Sequence, residues 1–214
     1  MALSKVDFNS INVTPAASKA IKFNSSNNGL ETGDVGGSLV LISEQTASSS
    51  STIDFTSGID STYDSYVFKF INMHPATNNV QFTFQADTGT NTNYNQTITS
   101  TTFETFHRED DANSSLSYRT PADQAQGTSF QYLSEGMGND NDNNLSGTLQ
   151  IFNPSSDTFV KHFISTVNFV YLSNYGNNFF SAGYFNTTTA LTRFRFKYSS
   201  GNIDAGTIKM YGVT

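Results

Sequence analysis

Apolar and polar side chains alternate along most of this chain with a period of two, the spacing of half-buried strands. The clearest run covers residues 63–73, Y-D-S-Y-V-F-K-F-I-N-M, which puts Tyr66, Phe68 and Phe70 on one face. Residues 74–79 follow as a turn, because Pro75 cannot donate to a following central ladder. Val80, Phe82 and Phe84 then read as the returning partner, so the two runs predict a meander. Near residue 214, Phe194, Phe196 and Tyr198 alternate with Arg193, Arg195 and Lys197. After the turn residues 199–202, Ile208 and Met210 stand opposite Thr207, Lys209 and Tyr211. These runs predict two antiparallel strands joined by a loop, with one dry and one wet face, closing the body of the fold.

The remaining elements follow the same logic. Residues 39–42 are continuously apolar, as in a strand buried on both faces, and 45–52 form a Ser/Thr loop. Ile53 and Phe55 mark a short strand ended by Gly58. Tyr94, Gln96 and Ile98 lead into a β-prone stretch to His107, which 113–118 continue. Thr120 and Pro121 are the only helix start, as N-cap and first helical residue, with room for a turn or two before Gly127. Residues 136–144 are loop, 148–152 strand, and 159–172 a long apolar run with Phe163, Val167 and Phe169 on one face and a break near Ser165. A strand at 179–185 leads to the terminal pair. The pattern predicts an all-β fold of roughly ten strands: an antiparallel β-sandwich, jelly-roll-like, with at most one or two short helices.

Residues 1–35 differ. Phe8, Ile11, Val13, Ile21 and Phe23 have no clean period, residues 18–22 suit a short strand or a turn of helix, and 24–37 read as loop. The division expected is an N-terminal arm or attachment segment at 1–35 and a β-sandwich domain at 36–214.

Composition narrows the chemistry. A 214-residue chain buries roughly 70% of its unfolded surface, enough for a core without staples. There is no cysteine, which excludes disulfides, thiolate metal sites and Cys nucleophiles. With 19 Phe, 10 Tyr and no Trp, aromatic rings must build the core. The net charge of −7, from 11 basic and 18 acidic residues, argues against nucleic acid or an anionic membrane as main partner. The cationic stripe at 193–197 suits a solvated or paired strand face. The amino terminus lacks the apolar core of a signal peptide, and no run is long and apolar enough for a membrane-spanning helix.

The candidate sites are few. Asp140, Asp142 and Asn144 carry the D-x-D-x-N start of a calcium loop, without the central glycine or the closing glutamate, where Ile151 stands. His107, Arg108, Glu109, Asp110 and Asp111 are the densest charge cluster and suit local ion pairs at a strand end. Hydrolysis of a polysaccharide needs two carboxyls across a cleft. Glu44, Glu104, Glu109 and Glu135 are available, but no local motif pairs any two. Tyr171, Tyr175 and Tyr184, near Asn174, Asn177 and Asn178, suit a sugar platform of rings and amides. No catalytic residue, resident metal or cofactor is expected.

Four segments carry a family resemblance: residues 36–70, Ile151 to Ser156 (I-F-N-P-S-S), Val160 to Phe163 (V-K-H-F) and Phe196 to Gly212 (F-K-Y-S-S-G-N-I-D-A-G-T-I-K-M-Y-G). They resemble small virion structural or fibre-like proteins of tailed phages of marine bacteria, cyanophages and pelagiphages among them. The resemblance runs from about Gly36 onward and implies a non-enzymatic virion component on the particle exterior, a tail-fibre or capsid-decoration protein. It also implies a homo-oligomer, expected to be a trimer, with other virion proteins as neighbours. The alternatives are a glycan-binding adhesin module that meets a host-surface glycan and a cell-surface polysaccharide hydrolase. Residues 1–35 are the segment expected to dock on the particle.

Overall fold

The structure, a computed structural model, describes residues 19–26, 28–34 and 38–213. The chain divides into two units, Met1–Ser38 and Leu39–Thr214. In the first, β1 (Lys19–Phe23) and β2 (Leu30–Asp34) pair antiparallel, with Phe23 opposite Leu30 and Lys22 near Glu31 at 3.5 Å. Ile21 and Phe23 share one face of β1 by strand alternation and both are exposed, as is Leu30. The loop expected over 24–37 is thus interrupted by a strand, because Leu30, Glu31 and Thr32 find β1 as a partner. Phe8, Ile11 and Val13 lie outside the described residues.

The second unit is built from β3 (Leu39–Thr46), β4 (Ile53–Phe55), β5 (Ser65–Pro75), β6 (Phe82–Thr88), β7 (Ile98–Arg108), β8 (Ser114–Tyr118), β9 (Ala125–Gly127), β10 (Gln131–Tyr132), β11 (Leu145–Phe152), β12 (Lys161–Tyr171), β13 (Tyr175–Phe185), β14 (Leu191–Tyr198) and β15 (Ile203–Val213). One sheet has the order β10-β6-β14-β4. The other runs β3-β15-β5-β11-β12-β13-β7-β8, with β9 also paired to β7. Every strand pairing is antiparallel.

Phenylalanines fill the space between the sheets. Phe68 of the large sheet meets Phe194 and Phe196 of the small one, with ring centroids 5.3 and 5.1 Å apart, and Phe70 meets Phe82 at 5.2 Å. Further along, Phe84 packs edge-on against Phe163 at 5.1 Å. Tyr198 donates its hydroxyl to the Met73 carbonyl at 3.1 Å, and burial pushes its pKa up. The all-β antiparallel sandwich expected from the alternation is what forms; the jelly-roll connectivity is a finer expectation that this strand order does not establish.

Five expectations are corrected. The strands β5 and β6 do not form a meander, and β14 and β15 do not form a hairpin: in each case the chain crosses from one sheet to the other. The two crossings run side by side, joined by Ala76 N donating to Asn202 O at 3.0 Å and Ser199 N to Gln81 O at 2.9 Å. Residues 74 and 75 belong to β5 rather than to a turn. The ladder with β11 stops at Met73, so the missing N–H of Pro75 lies beyond it, where only β15 is alongside. Strand β3 is an exposed sheet edge and not buried on both faces, with Leu41 half exposed. Strand β12 runs unbroken through Ser165, which faces inward and donates its hydroxyl to Thr148 O at 2.9 Å.

The helix start at Thr120 yields a single 3-10 turn, Thr120–Ala122, with Arg119 rather than Thr120 in the capping position and no side-chain cap. The face expected to be wet on β14 is covered and paired. Arg195 forms a two-pronged ion pair with Asp54, at 2.8 and 2.6 Å, and lies 4.1 Å from the Tyr94 ring centre. Lys197 stands 4.3 Å from the Phe130 ring.

Lys161 is fully buried at the start of β12, with its ammonium donating to Thr187 O at 3.1 Å. Burial lowers its pKa from the usual lysine value of 10.5, and the charge of Asp157 only partly offsets this. The unfolded chain therefore holds this proton more tightly, and the lysine works against folding at neutral pH. That contribution diminishes as pH rises through the folded pKa toward the ordinary one. Lys161→Met is expected to leave the urea midpoint unchanged or raise it at pH 7, since a well-packed apolar side chain replaces a buried charge. A fall in stability above about 1 kcal/mol, the usual worth of one hydrogen bond, would show that the contact with Thr187 dominates.

Candidate functional site

The large sheet has more strands than the small one, and segments after β8 cover part of its inner face. Gln131 of β10 accepts from Ser100 of β7 at 2.7 Å, and the Tyr132 carbonyl accepts from Ser181 of β13 at 3.2 Å. A cleft of about 300 Å³ opens nearby, lined by Glu104 and Phe106 of β7, Tyr175 and Asn177 of β13, Tyr171 of β12, Ser173, Arg119 and Glu135.

Strand phase selects these side chains. Ile98, Ser100, Thr102 and Glu104 alternate onto the inner face of β7, and Phe106 continues the row. The register sets Phe106 opposite Asn177 and Glu104 opposite Phe179. Arg119 is held by its own N–H, which donates to Thr102 O at 2.9 Å. Glu135 arrives on the segment after β10, which Leu172 N ties down by donating to Gly136 O at 3.0 Å. Gly136 has φ +59°, and a Cβ there would run into the Tyr171 ring, so only glycine lets this backbone pass so close.

Arg119 sits between the two carboxylates. Its Nη1 lies 3.3 Å from Glu104 Oε1, its Nε donates to Glu135 Oε2 at 2.8 Å, and its Nη2 donates to the same oxygen. Burial opposes its charge, but the hydrogen bond and the negative charge of Glu135, with that of Glu104, outweigh it and raise the Arg119 pKa. Asn177 donates Nδ2 to Glu104 Oε2 at 3.0 Å. Because a carboxylate in this setting only accepts, that bond fixes which way the amide is turned. Asn177 Oδ1 is then buried without a hydrogen-bond partner. At the rim, Tyr175 stacks on Phe106 at 5.2 Å and on Tyr171 at 5.4 Å, with Arg108 5.2 Å from the Tyr175 ring centre.

Chemically, this is an acceptor-rich pocket with an aromatic wall. The two carboxylates do not face each other across open space, as hydrolysis of a glycosidic bond requires, because Arg119 stands between them and bonds to both.

Of the side chains proposed as a sugar platform, the fold brings Tyr171, Tyr175 and Asn177 together and separates the others. Tyr184 lies on the outer face of the large sheet beside His162, by a shallow groove of about 450 Å³. Asn174 sits in the β12–β13 turn, where its carbonyl accepts from Glu109 N at 3.2 Å. Glu104 and Glu135 are visible as carboxyls in the sequence, but Arg119 is not singled out by any local pattern, and no motif links the three.

In the calcium-loop candidate, Asp140 uses its carbonyl on Asn143 N at 2.8 Å and on His74 Nε2 at 3.1 Å. Asn144 donates its side-chain amide to Asp142 O at 3.3 Å. Among the described residues, no group of three His, Asp or Glu side chains is arranged to hold a metal ion. The 107–111 cluster consists of local pairs, His107 with Asp111 at 3.0 Å and Arg108 with Asp110 at 2.8 Å.

The fold and the cleft define a two-layer antiparallel β-sandwich with a polar and aromatic cleft on the inner face of its larger sheet. Comparison with protein-family models, curated proteins and solved structures finds no match to this chain.

Proposed function

We propose that this protein is a non-enzymatic structural component of a phage particle, a fibre-like or decoration protein on its exterior, and that it works as a homo-oligomer. One observation carries the oligomer: around β7, β8, β12 and β13 the outer face of the large sheet bears exposed apolar side chains, with Asp123, which accepts from the Tyr118 hydroxyl, at its margin. Phe103 and Phe180 stack there at 4.7 Å, and Leu116, Tyr118 and Ile164 are 69, 53 and 54% exposed. The cross-strand rows joining them, Ile164–Ala182–Thr101 and Thr166–Phe180–Phe103–Tyr118, hold no Asp, Glu, Lys or Arg. Two copies that each carry a charge of −7 approach best through such a neutral patch. A second copy is therefore the occupant proposed, in a closed ring whose number, three, comes from the phage resemblance. The exposed Ile21, Phe23 and Leu30 of the β1–β2 hairpin support the attachment role of residues 1–35, since two strands alone bury little apolar surface between themselves.

Light scattering of the full chain is expected to give a trimer. Leu116→Asp combined with Phe103→Asp is expected to give a monomer with the same β-type circular dichroism. A monomeric full chain at high concentration would overturn the oligomer. Antibodies against the chain are expected to decorate intact particles of the phage that encodes it; particles free of label would overturn the location.

A second reading is favoured by one observation, the unpartnered Asn177 Oδ1 in the Arg119 cleft. It is a glycan-binding module of the same particle surface.

A further inference from the structure

We infer that the cleft at Glu104, Arg119, Glu135 and Asn177 holds a single neutral sugar ring, gripped through adjacent hydroxyls with an apolar edge against Tyr171 and Tyr175. The inference rests on the glycan-binding reading and says where the sugar sits and what kind it is.

Asn177 is only 3% exposed, yet its Oδ1 meets no donor. A buried amide oxygen without a partner is costly, so a ligand that supplies a donor gains from meeting it. Glu135 lines the same cleft with its Oε2 taken by Arg119. The cleft therefore asks for a donor at Asn177 and offers carboxylate acceptors beside it. Sulfate has no donor to give, and phosphates and uronic acids, although they carry hydroxyls, bring further negative charge to two carboxylates that share one guanidinium, which disfavours all three. An amine could also donate, but Arg119 already bonds both carboxylates and offsets part of their charge, so an ammonium would compete with it for the same oxygens. Neutral hydroxyls remain, and a pyranose presents them next to an apolar ring edge, the combination that an acceptor floor and an aromatic wall recognise. The cleft volume of about 300 Å³ lies at the lower end of ligand pockets, the size for one ring rather than a long chain.

The test screens the full chain by saturation-transfer NMR against methyl glycosides of glucose, galactose and mannose, with glucuronic acid and glucosamine as charged counterparts and neutral oligosaccharides of the same sugars. At least one neutral sugar is expected to bind. Asn177→Leu and Tyr175→Leu are each expected to weaken it by about tenfold or more, equivalent to about 1.4 kcal/mol, with circular dichroism unchanged. Two variants are used so that a folding defect in one leaves the other decisive. Tyr184→Ala, on the outer face, is expected to change nothing. Neutral-sugar binding that survives both cleft variants overturns this site and leaves the glycan reading standing, the more so if Tyr184→Ala abolishes it. Preference for glucuronic acid or glucosamine overturns the neutral assignment. Binding to no sugar in the panel overturns both the site and the glycan reading.

Discussion

Phe196→Ala is expected to destabilise the protein by about 3–5 kcal/mol, the usual cost of emptying a buried phenylalanine site. Phe196 is fully buried in the small sheet. Its ring lies within 5.1–6.3 Å of those of Phe55, Phe68, Phe70, Phe82 and Phe84, measured between centroids. It is thus the hub at which both layers meet. Five rigid rings cannot collapse inward together, so the cavity stays open and its cost should fall in the upper half of the range. Domains of this size are stable by only about 5–15 kcal/mol, so the loss would be a large fraction of the whole. Phe68→Ala, removing a ring that touches Phe55, Phe194 and Phe196 from the opposite sheet, should cost a similar amount. Because the two rings touch, the double variant should cost less than the sum. Urea unfolding measures all three. Unchanged midpoints for both single variants would mean that the sheets do not pack through these rings.

Arg119→Met is the second large effect. It removes the guanidinium that bonds both Glu104 and Glu135, which are themselves nearly buried. Breaking a buried pair by taking away one partner costs about 3–5 kcal/mol, because a charge is left without compensation. Arg119 is itself half-buried and reached by water, so a loss near about 3 kcal/mol is expected. The signature is recovery. Adding Glu104→Gln and Glu135→Gln to Arg119→Met should restore most of the lost stability, since no uncompensated charge then remains. If the triple variant is no more stable than Arg119→Met, the loss came from missing side-chain packing rather than from unpaired charge.

Strand faces were legible from alternation alone. Tyr66, Phe68 and Phe70, and likewise Phe194, Phe196 and Tyr198, point inward as a period of two requires, and so do Ile208 and Met210. Composition also told truly: with no Trp and 19 Phe, the core is a stack of phenylalanine rings. The all-β class follows from the same evidence, because alternation at this density leaves no stretch with a helical period.

Partner choice was not legible. An inward-facing strand has the same pattern whether the strand before it lies beside it, about 5 Å away, or across the core, about 10 Å away. The chain can therefore cross between sheets after β5 and after β14 without any change in alternation. Ala76, Gln81, Ser199 and Asn202 hold these crossings through backbone bonds, joined by side-chain bonds between Ser199 and Gln81 that no local pattern announces. The cleft was hidden for a related reason. Glu104, Arg119, Glu135 and Asn177 lie on four separate segments, and they converge only after β7 and β13 find their register and Gly136 lets its strand of backbone pass over Tyr171. Face is a local property, set by which side chains are apolar. Neighbourhood is set by long-range pairing, whose backbone hydrogen bonds carry almost no sequence signal, and so it took the folded chain to decide it.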